Sequence, residues 1–381
     1  MIANKYKSLI AYIVESTPDR VFLYWKGRVA LYAILKAMDI RQGDEVIIPA
    51  FTCVVVPNAI MYLGAKPVYV DINPDTYNMD ISRLEPVITS KTKVIICQNT
   101  FGLSSNLEEI IQIAKKYNLF TIEDCTHGFG GQYNGKPNGS YCDAAFYSTQ
   151  WNKPYSTGIG GFLVVNNASL VERVESLESD KYNASFIDNI ILALLIFFRK
   201  YFINRYTYYT FVKLYRYLSN KNLIIGSSQG NEISNTKMPS EFFKGISFIQ
   251  VKTGINRLNY LNELNNQRKH NAKVYTTLIN QKGKTAVNEK YFNNHLFLKY
   301  PILVSDRKLF FQLAEKEKIM LGDWFFSPLY PVRGNLSPWN FNSKLFPNAI
   351  EISKKIVNLP TEIKDNSSIQ KFLNENMHLL E

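Results

Sequence analysis

Between residues 45 and 125 the chain carries four runs of nearly unbroken apolar residues: EVIIPAF (45–51), KPVYVDI (66–72), TKVIICQN (92–99) and LFTIEDC (119–125). A strand with one wet face alternates, whereas a strand apolar at almost every position needs cover on both faces, as in a parallel sheet between helix layers. Helical patterns lie between the runs. Leu31, Ile34, Leu35 and Met38 share one face of a helix that stops near the glycine of RQGDE (41–45). NAIMYLG (58–64) reads as a helix ending at Gly64, and Leu107, Ile110, Ile111 and Ala114 form the buried stripe of another that Asn106 is placed to cap. With AAFYS (144–148) and GGFLVVNN (160–167), the pattern predicts an α/β domain built on a largely parallel sheet of about six or seven strands.

A chain of 381 residues, 46% hydrophobic and 20% charged, has the balance of a globular protein and room for a large domain plus a smaller one. The Ser-, Asn- and Gly-rich stretch 219–236 reads as a linker, dividing the chain into 1–235 and 236–381, and long helical periodicity follows over 243–279. Cys53, Cys97, Cys125 and Cys142 contain no C-x-x-C pair, so neither a disulfide framework nor a metal site is expected, and the thiols read as those of a cytoplasmic protein. The N-terminal stretch MIANKYKSLIAYIVESTPDR has no small-residue cleavage site after its short apolar run, so no export signal is expected. The formal net charge of +12 accompanies a chain rich in Lys and Asn throughout, and no nucleic-acid motif stands behind it.

Residues 186–218 break the pattern. IILALLIFF (190–198) falls far short of the roughly 20 residues that cross a bilayer, and an aromatic, basic stretch follows it with Arg199, Lys200, Tyr201, Arg205, Tyr208, Tyr209, Lys213 and Arg216. Two readings stand side by side: a pair of helices packed on the body or on a partner subunit, or a peripheral contact with the inner face of a membrane.

The chemistry-bearing residues lie at strand ends. Asp124 closes one strand, where ligands of open α/β sheets collect. Lys153 lies in FYSTQWNKPYSTGIGG, between Ser148 and Gly158, Gly160 and Gly161, small residues that let backbone N–H groups approach a phosphate. Gly27 and Arg28 open a helix, a second anion-binding position. An amine able to form a Schiff base, and a carboxylate able to hold a pyridine nitrogen protonated, are what pyridoxal phosphate chemistry asks of a protein.

Over 27–167 the order GRVALYAILKAMDIRQGDEVIIPAFTCVVVPNAIMYLGAKPVYVDINPDTYNMD, ITSKTKVI, FGLSSNLEEI, IEDCTHGFGG, FYSTQWNKP and GIGGFLVVNN resembles the DegT-type sugar aminotransferases. These are fold type I enzymes of the aspartate aminotransferase architecture. YPILV (300–304), FPNAIEIS (346–353) and NLPTEI (358–363) are similar to the family's small-domain landmarks. The resemblance implies a mainly parallel seven-stranded sheet in the large domain and a smaller C-terminal α+β domain, assembled as a homodimer. It implies pyridoxal 5'-phosphate as cofactor, Lys153 as the Schiff-base lysine, Asp124 as the partner of the pyridine nitrogen and His127 as the residue beside the cofactor ring. Ser148, Arg28 and Val29 match phosphate-binding positions. Amination of a keto sugar for surface polysaccharide or lipopolysaccharide, with glutamate as donor, is the activity it implies.

Three departures accompany the match. Cys53 stands where the family commonly has an aromatic residue on the cofactor ring, leaving Phe51 or Phe101 to substitute. The family's N-Y-R-type loop is not recognisable around TKMPSEF (236–242), and the segment 186–218 is atypical. Related sugar dehydratases typically carry histidine in place of Lys153, and a catalytically silent relative is the remaining alternative. His270, His295 and His378 read as structural, while Trp324, Tyr330 and Trp339 read either as pocket walls or as packing.

Overall fold

The apolar runs become neighbouring strands of one sheet in the computed structural model of the protein, which describes residues 2–220 and 230–381. The strands β1 (Val21–Tyr24), β2 (Glu45–Pro49), β3 (Lys66–Val70), β4 (Thr92–Gln98), β5 (Phe120–Asp124), β6 (Ala144–Ser148) and β7 (Gly161–Val165) lie in the order β1-β7-β6-β5-β4-β2-β3. Pairing is parallel from β6 through β5, β4 and β2 to β3, and antiparallel where β7 meets β6 and β1. β7 alone therefore runs against the rest. Every residue of β1, β2, β6 and β7 is buried, as a sheet covered on both faces requires. The seventh strand, VFLY of β1, is the one the sequence pattern does not mark.

Three local expectations are corrected. The second strand stops at Pro49, and Thr52–Cys53 leaves the sheet to pair in parallel with Leu329–Tyr330. The next helix runs over Val55–Met61, with Gly64 in a left-handed turn beyond it (φ 74°). Asn106 stands at the start of the helix Leu107–Lys116 without capping it, because its Nδ2 donates to Glu109 and its Oδ1 accepts from the Tyr133 hydroxyl at 2.9 Å.

The helix Gly27–Ala37 is buried at every position except Lys36 and packs on one face of the sheet. The same core takes in Phe325, Leu329, Trp339, Phe346 and Ile352 from late in the chain. Trp339 is an anchor and not a pocket wall: its Nε1 donates to Asn58 Oδ1 at 2.6 Å, and its carbonyl accepts from the Tyr69 hydroxyl at 2.8 Å. On the other face, Tyr6 and Ile10 of the N-terminal helix meet Val251 and Leu258 of the helix Phe248–Leu258, together with Phe129 and Phe162. A separate core of Tyr275, Tyr300, Phe310, Val357 and Phe372 surrounds the antiparallel pair Tyr300–Leu303 and Ile356–Leu359, an α+β arrangement.

Residues 186–220 form two helices, Phe186–Phe202 and Tyr208–Asn220, the first opened by a reciprocal cap between Ser185 and Asp188. No helix among the described residues is long and apolar enough to cross a membrane. Within the expected linker 219–236, residues 221–229 lie outside the described residues.

Candidate active site

Strand direction decides where polar groups collect. β1, β5 and β6 bring their carboxyl ends to one edge of the sheet, and β7, running the other way, brings its first residue there. Gly161 pairs with Ser148 on one side and Tyr24 on the other, and Asp124 closes β5 one strand further along. The helix Gly27–Ala37 starts directly over this row. A Cβ on Gly161 would lie 2.3 Å from the backbone of Gly27, and one on Gly27 would lie 2.8 Å from the Tyr147 carbonyl. Only glycine at both places lets the helix N-terminus come down onto the sheet edge.

The result is a cavity with two kinds of wall. Around the helix N-terminus stand Lys26, Gly27, Arg28 and Ser148; towards β5 stand Asp124, Thr126, Cys53 and Lys153. Lys153 is half-buried, and its enclosure lowers the ammonium to about 8, against the opposing pull of Asp124 and Cys53. Asp124 is buried, which raises its carboxyl; the Thr126 N–H, 2.9 Å from Oδ1, and the charge of Lys153 act against that rise. Lys26, which nothing in the sequence singled out beyond its place before Gly27, is lowered to about 8 by desolvation, with Glu232 opposing. Arg28 is ion-paired with Glu232, both side chains 5% exposed, and Asn58 Nδ2 holds the Glu232 carbonyl at 2.7 Å.

His127 lies behind this wall, not in it. Its Nδ1 accepts from the Phe101 N–H at 3.2 Å, and its ring lies against Trp324 with centroids 4.7 Å apart and planes 11° apart. Burial drives the imidazolium well below the ordinary histidine range, so the ring is neutral and its hydrogen is on Nε2. Phe51 and Phe101 do not border the cavity; they pack with Tyr77 and Phe325. The aromatic ring beside the lysine is Trp324, with Lys153 Nζ 4.7 Å and Lys299 Nζ 5.7 Å from its centroid. Val29 turns into the core, and its N–H donates to the Lys26 carbonyl at 3.0 Å. His295 is structural: its Nδ1 accepts from the Phe297 N–H at 2.9 Å.

The loop carrying Lys153 is tied to itself and to distant helices. Thr149 and Thr157 hydroxyls lie 2.6 Å apart, and the Thr149 N–H reaches the Gly160 carbonyl at 2.9 Å. Gln250 Nε2 donates to the Ile159 carbonyl at 2.8 Å and to the Trp25 carbonyl at 3.1 Å, and Arg268 Nη2 donates to the Pro154 carbonyl at 2.8 Å. Gln250, Arg268, Glu232 and Lys299 were beyond sequence reasoning, since they reach the site from the second half of the chain.

The donor set suits a phosphorylated pyridine aldehyde. Lys26, the Glu232-paired Arg28, a hydroxyl and a helix N-terminus opened by Gly27 form an anion cradle, a buried carboxylate faces them along the sheet edge, and a lysine with a lowered affinity for its proton stands nearby.

The chain belongs to the DegT/DnrJ/EryC1/StrS aminotransferase family, whose model it matches over residues 25–185 and 243–369. The break between these two stretches contains the helical pair. A GDP-perosamine synthase of Escherichia coli O157:H7 is 44% identical over 147 residues, 39% of this chain and 40% of the relative. A dTDP-3-amino-3,6-dideoxy-alpha-D-galactopyranose transaminase of Aneurinibacillus thermoaerophilus is 44% identical over 154 residues, 40% of this chain and 42% of the relative. The chain thus spans about two fifths of the length of these curated relatives. A Bacillus subtilis protein solved with bound cofactor PMP shares the fold with a TM-score of 0.72 at 21% identity, covering 99% of this chain and 77% of that one.

Proposed function

We propose that this family member is a pyridoxal phosphate-dependent aminotransferase that transfers an amino group, with glutamate as donor, to a keto sugar for surface polysaccharide or lipopolysaccharide precursors. The observation that carries the reading is Lys153, its ammonium lowered to about 8, beside the buried Asp124 and across the cavity from Lys26 and Arg28. Both curated relatives bear names of nucleotide-sugar enzymes, one for a GDP sugar and one for a dTDP sugar, which supports a keto sugar as acceptor.

When bound, the cofactor supplies an aldehyde carbon that amines capture and a ring that withdraws electrons from the substrate Cα. Lys153 would supply the amine that holds the cofactor and, when free, the base that moves a proton at the substrate Cα. Asp124 would face the pyridine nitrogen and favour its protonated form. Gly27, Arg28, Lys26 and Ser148 would hold the phosphate and Cys53 would border the ring, while His127, fixed by the Phe101 N–H, would back the wall behind it. The enzyme acts as a homodimer on the cytoplasmic side of a membrane, with 186–218 as its peripheral contact.

The test is spectroscopic. Purified protein given pyridoxal phosphate should turn yellow, bleach on adding glutamate, and do neither after Lys153→Ala. Protein that stays colourless and takes up no pyridoxal phosphate would end the reading.

A further inference from the structure

The helix Phe186–Phe202 is apolar on two sides. Leu192 packs inward with Trp25 and Ile159, and it lies so close to Gly158 that a Cβ there would meet its Cδ1 at 2.6 Å. Phe186, Ile190, Leu194, Phe198 and Phe202 recur at every fourth residue on the outer side and are 80, 44, 51, 47 and 46% exposed. Such a stripe is normally the face a helix turns to the core. Left outside along the full length of a helix, it marks a surface that something covers.

Charge identifies the occupant. From 189 to 220 the sequence holds Arg199, Lys200, Arg205, Lys213 and Arg216 and no acidic residue. Asp188, just before, is committed to the Ser185 N–H and to Lys244, 3.0 Å away. A second copy meeting this face about a two-fold axis would bring the basic cluster against itself. Anionic lipid headgroups complement it. The exposed Tyr201, Tyr206 and Tyr217 join an apolar body to a polar tip among these cations, the composition that settles at a headgroup boundary.

We propose that residues 186–220 seat the protein on an anionic membrane surface, with the Phe186–Phe202 stripe at the acyl boundary and the basic residues on the headgroups. The seat adjoins the chemistry: Arg199 Nη2 donates to Asn152 Oδ1 at 2.8 Å, one residue from Lys153. The second helix reaches the C-terminal unit, where the Tyr209 hydroxyl donates to the Ile319 carbonyl and Lys213 pairs with Glu315 at 2.9 Å. This deepens the peripheral placement proposed above and does not depend on transamination.

Full-length protein loaded with pyridoxal phosphate is to be co-sedimented with vesicles of phosphatidylcholine alone and of phosphatidylcholine with phosphatidylglycerol. Binding should require phosphatidylglycerol, weaken with salt, and fall by about fivefold for each basic residue neutralised, as in Lys200→Gln with Arg205→Gln. Leu194→Glu with Phe198→Glu should abolish binding while leaving the yellow absorption of the loaded protein intact, which guards against a folding failure. Binding to neither vesicle, or equally to both, overturns the proposal. So does light scattering in which the glutamate pair splits a dimer while vesicles bind nothing. Vesicle binding by a protein that takes up no pyridoxal phosphate would sink the enzyme reading alone.

Discussion

The loop 149–161 and the helical pair beside it reverse the usual rule of burial in opposite ways. In the loop, polar groups are inside: Thr157 is fully buried and its hydroxyl donates to the Ile159 carbonyl at 2.6 Å, and Gln250 reaches in from another helix to satisfy two carbonyls. In the helical pair, apolar groups are outside, from Phe186 to Phe202. A buried polar group is tolerable only when its hydrogen bonds are made, so the loop is specified by partners within the chain. An exposed apolar stripe gains nothing from water, so the pair is explained by something beyond the chain. One region is satisfied from within the chain; the other leaves apolar surface uncovered by it.

The sharpest way to break this contrast is Lys153→Ala. On the proposed roles the replacement removes both the cofactor attachment and the proton carrier, and turnover should drop by about ten-thousandfold or more, the upper end for an acid–base residue. Measured amination close to wild-type would mean that the polar interior of the loop serves something other than chemistry. Next comes pH. Because enclosure lowers the Lys153 ammonium to about 8, the unprotonated fraction rises with pH up to that point. Uptake of pyridoxal phosphate by cofactor-free protein should therefore accelerate about tenfold per pH unit below 8 and level off above it. A rise that continued through pH 9 without levelling would show that the amine is not desolvated.

Smaller effects sharpen the comparison in stability. Gln250→Ala leaves the Trp25 carbonyl without its donor and the Ser247 N–H without its acceptor, while the Ile159 carbonyl keeps the Thr157 hydroxyl, and should cost about 3 kcal/mol in denaturant unfolding, two unsatisfied buried groups taken together. Arg199→Ala removes an exposed bond to Asn152 and the guanidinium's contact with the Trp151 ring, 5.1 Å away, and should cost no more than about 1 kcal/mol. Equal costs would erase the distinction between the two regions.

What the sequence reveals follows the same division. Six strands, the residues Asp124, Ser148 and Lys153, and the Gly27–Arg28 helix start were legible because unbroken apolar runs and small residues at their ends are local signals. β1 escaped because its four residues, VFLY, are too short a run to separate from a helical turn. Lys26 escaped because a lone lysine before a glycine looks like any solvated one. Lys299, Glu232, Gln250 and Arg268 escaped for a different reason: their roles exist only once the second half of the chain is folded over the first. The same holds for Phe51 and Phe101, nominated by proximity in sequence to stand in for the residue at Cys53, yet drawn into a core with Phe325.

The reversed strand β7 has one more consequence. Gly161 under the Gly27 helix start and Asp124 at the end of β5 are separated by two strand spacings, about 10 Å, and that interval is set by backbone hydrogen bonding. The cavity thus carries a fixed gauge. Substitutions around it change what is recognised or how fast it reacts, but a ligand with its anionic group and its ring nitrogen at a different separation fails to register at both stops, whatever side chains surround it.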